Sequence, residues 1–89
     1  MKKIILFVLL FVQTMQDAQA LHEEGRKCLS EGKIVQGREL TKRAMDIRKK
    51  LSGEENEDYI TSLNNYAYTF ALEKDFAKAT ELQEQVMAL

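Results

Sequence analysis

The chain has 89 residues, and its 13 lysines and arginines stand against 14 aspartates and glutamates for a formal net charge of −1. Charge this balanced argues against the basic field that holds nucleic acid or an anionic membrane surface, so neither is expected as a partner. The single cysteine excludes an intramolecular disulfide, and with no proline and four dispersed glycines nothing reads as a flexible linker.

Lys2 and Lys3 precede nine apolar residues, Ile4 to Val12, and a polar stretch then closes on Ala18-Gln19-Ala20. This is the layout of a secretory signal peptide. As a helix the apolar run would cover only about 13 Å of a hydrocarbon core about 30 Å thick, and it offers no polar face for a core helix. The short side chains of Ala18 and Ala20 suit a processing protease, which makes Leu21 the expected first residue of the mature chain. A lipid-anchored product would need a cysteine directly after the cut, and Leu21 stands there. The expectation is an exported protein, periplasmic or secreted, with residues 1–20 as leader and no stable membrane span after cleavage. Loss of Lys2, Lys3 and Asp17 leaves 69 residues carrying 11 basic and 13 acidic groups. A domain of that size without a disulfide depends on packing alone.

Apolar positions in the remainder recur at three and four residues and never alternate, which predicts an all-α class. Leu21, Gly25, Cys28 and Leu29 form the stripe of a first helix, with Cys28 expected in the core, and Ser30-Glu31-Gly32 ends it. A second helix carries Ile34, Gly37, Leu40, Ala44, Ile47 and Leu51 on one face. Glycine inside a helix costs about 1 kcal/mol relative to alanine, so Gly37 predicts a close helix contact that offsets the cost. The basic run Arg38, Lys42, Arg43, Arg48, Lys49 and Lys50 meets Glu54, Glu55, Glu57 and Asp58. Cations at a helix C-terminus and anions at the next N-terminus explain that order as a solvated face, against the alternative of a basic docking patch.

Gly53 marks a stop and Asn56 a cap for a third helix, with Ile60, Leu63, Tyr66, Ala67 and Phe70 inward. Lys74-Asp75 makes the next turn. Asp75 caps a fourth helix whose expected inward stripe is Phe76, Ala79, Leu82, Val86 and Leu89.

The segment Leu21–Ile47 echoes Leu63–Leu89 at an offset of 42 residues. Leu21/Leu63, Glu31/Glu73, Glu39/Glu81, Leu40/Leu82 and Met45/Met87 are identical, and Gly25/Ala67, Cys28/Phe70, Ile34/Phe76, Gly37/Ala79, Ala44/Val86 and Ile47/Leu89 match in size class. Self-similarity at a fixed period marks units that bury their faces by stacking. Two units follow, at about 21–51 and 57–89. Lys74 stands where the first unit has Gly32; a left-handed backbone there would favour glycine.

Small residues at the helix crossings, an aliphatic or aromatic residue opening each second helix, and a glycine turn in the first unit resemble the tetratricopeptide repeat. Gly25, Gly32, Ile34, Gly37 and Ala44 carry the likeness in the first unit, and Leu63, Ala67, Phe70, Phe76 and Ala79 in the second. The 42-residue period, longer than the usual 34, with Thr61-Ser62-Leu63-Asn64-Asn65-Tyr66-Ala67 after an acidic loop, looks like the kinesin-light-chain-type variant. The resemblance implies a short α-solenoid of two antiparallel helix-turn-helix repeats whose first helices line a concave groove for a peptide or protein segment. By that likeness His22, Glu23 and Arg26 in the first unit, and Thr61, Asn64, Asn65 and Tyr68 in the second, are the groove-facing residues.

Chemistry of other kinds has no motif here. His22 is the sole histidine, no spacing completes a metal site, and His22 and Cys28 point in different directions on one helix. The expected function is non-catalytic protein binding without a cofactor. The alternative is the N-terminal repeat region of a longer sensor or enzyme continuing beyond Leu89. The fourth helix stops with its apolar stripe still running, so a following repeat or a second copy, as a homodimer, is expected to cover it.

Overall fold

The computed structural model describes residues 14–89. Residues 1–13, the larger part of the leader expected over residues 1–20, lie outside the described residues. Among those described are four helices, α1 (Met15–Ser30), α2 (Ile34–Ser52), α3 (Glu57–Leu72) and α4 (Phe76–Ala88), and no strand. Each helix packs on its neighbour in the chain, giving two helix-turn-helix units stacked through α2 and α3.

Local chemistry sets the helix ends. Asn56 caps α3 by accepting from the Asp58 amide at 2.8 Å, and Asp75 caps α4 by accepting from the Lys78 amide at 3.2 Å. These bonds satisfy amides that have no partner within the helix. Gly32 and Gly53 both adopt positive φ, 80° and 81°. Lys74 adopts φ 63°, so the second unit repeats the left-handed turn with a residue whose Cβ opposes it. α1 begins at Met15, six residues before Leu21, because Thr14 and Asp17 form a capping box in which each side chain bonds the other's backbone amide.

The two glycines inside the helices of the first unit, Gly25 and Gly37, have a steric reason. A Cβ on Gly37 would lie 2.7 Å from Leu29 Cδ2 and 3.0 Å from the Gly25 carbonyl oxygen, so α1 and α2 touch backbone to backbone. Ala67 and Ala79 hold the matching positions in the second unit and are buried.

The core lies between the units. Met45 packs with Tyr59, Leu63, Ala67 and Leu82, and Ile60, Tyr66, Phe70 and Val86 close its edge. Tyr66 and Phe70 meet edge to face at 5.2 Å. Some stripe residues fall outside it: Leu51, Phe76 and Leu89 are exposed and Cys28 only half-buried. Leu51 occupies the last turn of α2, and Phe76 and Leu89 the two ends of α4.

The basic run also divides. Lys42, Arg43, Lys49 and Lys50 are solvated, Lys42 pairing with Asp46 and Lys49 with Glu54, both at 3.0 Å. Arg38 and Arg48 instead face α3. Arg38 donates to the Thr69 hydroxyl and carbonyl at 3.0 Å each, pairs with Glu73, and lies over the Phe70 ring 3.9 Å from its centroid. Arg48 is 2 % exposed, contrary to the solvated-face reading. Its position on α2 points at α3, which a single-helix charge pattern does not reveal.

Candidate functional site

α1 and α3, the first helices of the two units, face each other across an open groove of about 360 Å³. Arg26, Leu29 and Ser30 line it from α1, and Asn65, Tyr68 and Leu72 from α3. Spacings of three, four and seven put each trio on one helical face, so the stacking that builds the core also aligns the groove walls. Tyr68 is 56 % exposed and Leu72 37 %, an apolar surface beside the polar ends of Arg26, Ser30 and Asn65.

The seven residues expected in the groove take different places. Arg26, Asn65 and Tyr68 come together there. His22 lies behind it, 6 % exposed, with Nε2 3.3 Å from the Asn65 amide nitrogen. With the amide donating, Nε2 accepts and the ring proton sits on Nδ1, which has no partner among the described residues. Glu23 is exposed and accepts from the Gln19 amide at 2.9 Å. Asn64 belongs to a second depression, between α3 and α4, where its Oδ1 accepts from Gln83 at 2.8 Å. Asn65 and Tyr68 line both depressions and so form the ridge between them. Thr61 is exposed on α3 and lines neither. Leu29, Ser30 and Leu72 are groove residues that the sequence reading missed. The signal was available, since they follow Arg26 and Tyr68 by three or four residues.

The electrostatics behind the groove are cationic. Arg48 donates to Ser62 Oγ at 2.7 Å, to the Asp58 carbonyl at 3.2 Å and to Gln19 Oε1 at 2.7 Å. No carboxylate pairs with it among the described residues. Burial, then the charges of Arg48 and Arg26, hold the His22 imidazole below its ordinary value against the opposing pull of Glu23 and Asp58. The ring is therefore neutral at pH 7 and can accept from Asn65.

This arrangement can bind. Donors from Arg26 and Asn65, a phenol, and a strip of leucine surface suit the backbone and side chains of an extended segment. Cys28 opens into a shallow depression with Glu24 and Arg43, on a different face from the groove. Among the described residues no three metal-ligating side chains cluster, and no helix is long and apolar enough to cross a membrane.

A family model described as Tetratricopeptide repeat matches residues 16–89. No curated protein and no solved structure matches the chain.

Proposed function

The chain belongs to the tetratricopeptide repeat family, whose repeats mediate protein–protein interaction, and we propose that it is a non-catalytic module holding a peptide or protein segment between α1 and α3. The observation that carries this reading is the convergence of Arg26, Ser30 and Asn65 with Leu29, Tyr68 and Leu72 from two repeats onto one groove. A segment lying there gains backbone hydrogen bonds from the amide and guanidinium and buries an apolar side chain against the leucines. Changing Asn65 and Tyr68 to alanine together should abolish saturable binding of an extended partner while leaving the helical circular-dichroism signal intact. Undiminished affinity in that double variant defeats the proposal.

The leader-like residues 1–20 extend the proposal to an exported protein, with Ala20–Leu21 as the processing bond. A reporter fused to residues 1–20 and retained inside the cell would rule that out.

A second reading concerns the far end of the stack. Met87 is 83 % exposed where its repeat partner Met45 is 9 % exposed, so the surface that α3 covers on the first unit is bare on the second. A further helix, from a longer sensor or enzyme chain or from a second copy in a homodimer, fits that surface. Light scattering at low concentration separates these outcomes: a dimer supports the second copy, and a well-behaved monomer removes it.

A further inference from the structure

The residues that would be read by a processing protease are the same ones that start α1. A protease takes its substrate extended, with the side chains on either side of the bond in its own pockets. Here Ala18, Gln19, Ala20 and Leu21 are helical. The Ala18 side chain is 0 % exposed, and its backbone amide is bonded to the Thr14 carbonyl at 3.1 Å. Gln19 is held by two neighbours, accepting from buried Arg48 at 2.7 Å and donating to Glu23 at 2.9 Å. The Thr14–Asp17 capping box fixes the start of the helix, and Ser52 at the end of α2 donates to the Met15 sulfur at 3.5 Å.

We propose that the Ala20–Leu21 bond can be cut only before residues 15–20 fold into the start of α1, so that the bond is a processing site which the finished fold closes. The inference rests on the export reading above, because it takes Ala18-Gln19-Ala20 as a processing sequence. The step is hydrolysis of one peptide bond: water adds across it, leaving the carboxylate on Ala20 and the ammonium on Leu21.

In the folded chain the bond becomes accessible only when the first turns of α1 open, which requires withdrawing Ala18 from the core and breaking the Arg48–Gln19 bond. Cleavage is then limited to the small open population. In a chain cut first, α1 would lose residues 15–20, its capping box and the acceptor that Gln19 gives Arg48. It would also gain a positive ammonium at the positive end of the helix dipole, close in sequence to Arg26. Arg48 would be left buried with two acceptors in place of three, beside an entrance opened by the loss of Ala18.

The test uses the full 89-residue chain in detergent with a purified signal peptidase, following the Leu21–Leu89 product by intact mass. Three proteins share identical residues 1–21: wild type, Arg48→Ala, which removes the tie to Gln19, and Ala67→Asp, which breaks the core. Expected cleavage is slowest in the wild type, intermediate in Arg48→Ala, and at least about tenfold faster than wild type in Ala67→Asp, as for a bond reached through local opening. Equal rates in all three overturn the exclusion while leaving the processing site in place. No cleavage even in Ala67→Asp removes the processing site itself, and the export reading and this inference fall together.

Discussion

The two repeats share a size pattern, yet matched positions meet different fates. Met45 is 9 % exposed and Met87 83 %; Thr41 is 0 % exposed whereas its counterpart Gln83 is exposed; His22 is buried and Asn64 is not. The difference arises at the interface, because α3 lies on the first unit and no described element lies on the far face of α4. Burial in a stacked fold is therefore set by what comes next, and repetition specifies only the surface offered to it.

The widest contrast comes from truncating the paired methionines. Met45→Ala should destabilise by about 2–5 kcal/mol through loss of packing against Tyr59, Leu63 and Leu82, while Met87→Ala should stay within about 0.5 kcal/mol. Urea denaturation of the two variants checks this. Similar losses at both positions would mean that a second copy or another element buries Met87 in solution.

The helix crossings separate the repeats next. Gly37→Val should cost about 1–3 kcal/mol, because its Cβ would already stand 2.7 Å from Leu29 before the two methyls are added. Ala79→Gly, the reverse change in the second unit, should lose about 1 kcal/mol from helix propensity together with the packing of the deleted methyl. A stability curve for Gly37→Val that overlays the wild type would contradict the close contact of α1 and α2.

A smaller effect distinguishes the turns. Lys74→Gly should stabilise by about 1 kcal/mol by relieving a left-handed lysine, and Gly32→Lys should destabilise by a similar amount. A melting temperature that falls for Lys74→Gly would show that the lysine contributes contacts outweighing its backbone strain.

The smallest effect expected is the pH response of the first unit, which alone contains a histidine. The folded His22 value lies below the ordinary 6.5, so the unfolded chain takes up the proton first. His22 then costs nothing above pH 6.5 and destabilises progressively as pH falls from there toward its folded value. His22→Gln should remove that component of the acid sensitivity. Imidazole resonances that titrate at or above 6.5 in the folded protein would exclude it.

Much of this was legible in the residues. Gly32 and Gly53 as turns, Asn56 and Asp75 as caps, and the left-handed backbone at Lys74 all follow from chemistry within a few residues. In the groove, Arg26, Asn65 and Tyr68 were readable through the repeat resemblance, whereas Leu29 read as part of the first helix's apolar stripe and Leu72 was not singled out, because their groove role needs both helices in place. Arg48 was misread for a related reason. A charge run shows what one helix exposes when alone, and α3 arrives from ten or more residues away. Phe76 and Leu89 failed oppositely, since a periodic stripe promises burial that a helix end does not receive.

The amino-acid sequence by itself determined the all-α class, the two-unit echo, most turn and cap positions and the family, because each is written in local periodicity and backbone preference. Tertiary structure alone decided which arginine is buried, which methionine is covered, how far α1 extends before Leu21 and which side chains share the groove. Those outcomes depend on contacts between helices whose partners are distant in the chain, and no short-range pattern encodes the identity of a neighbour.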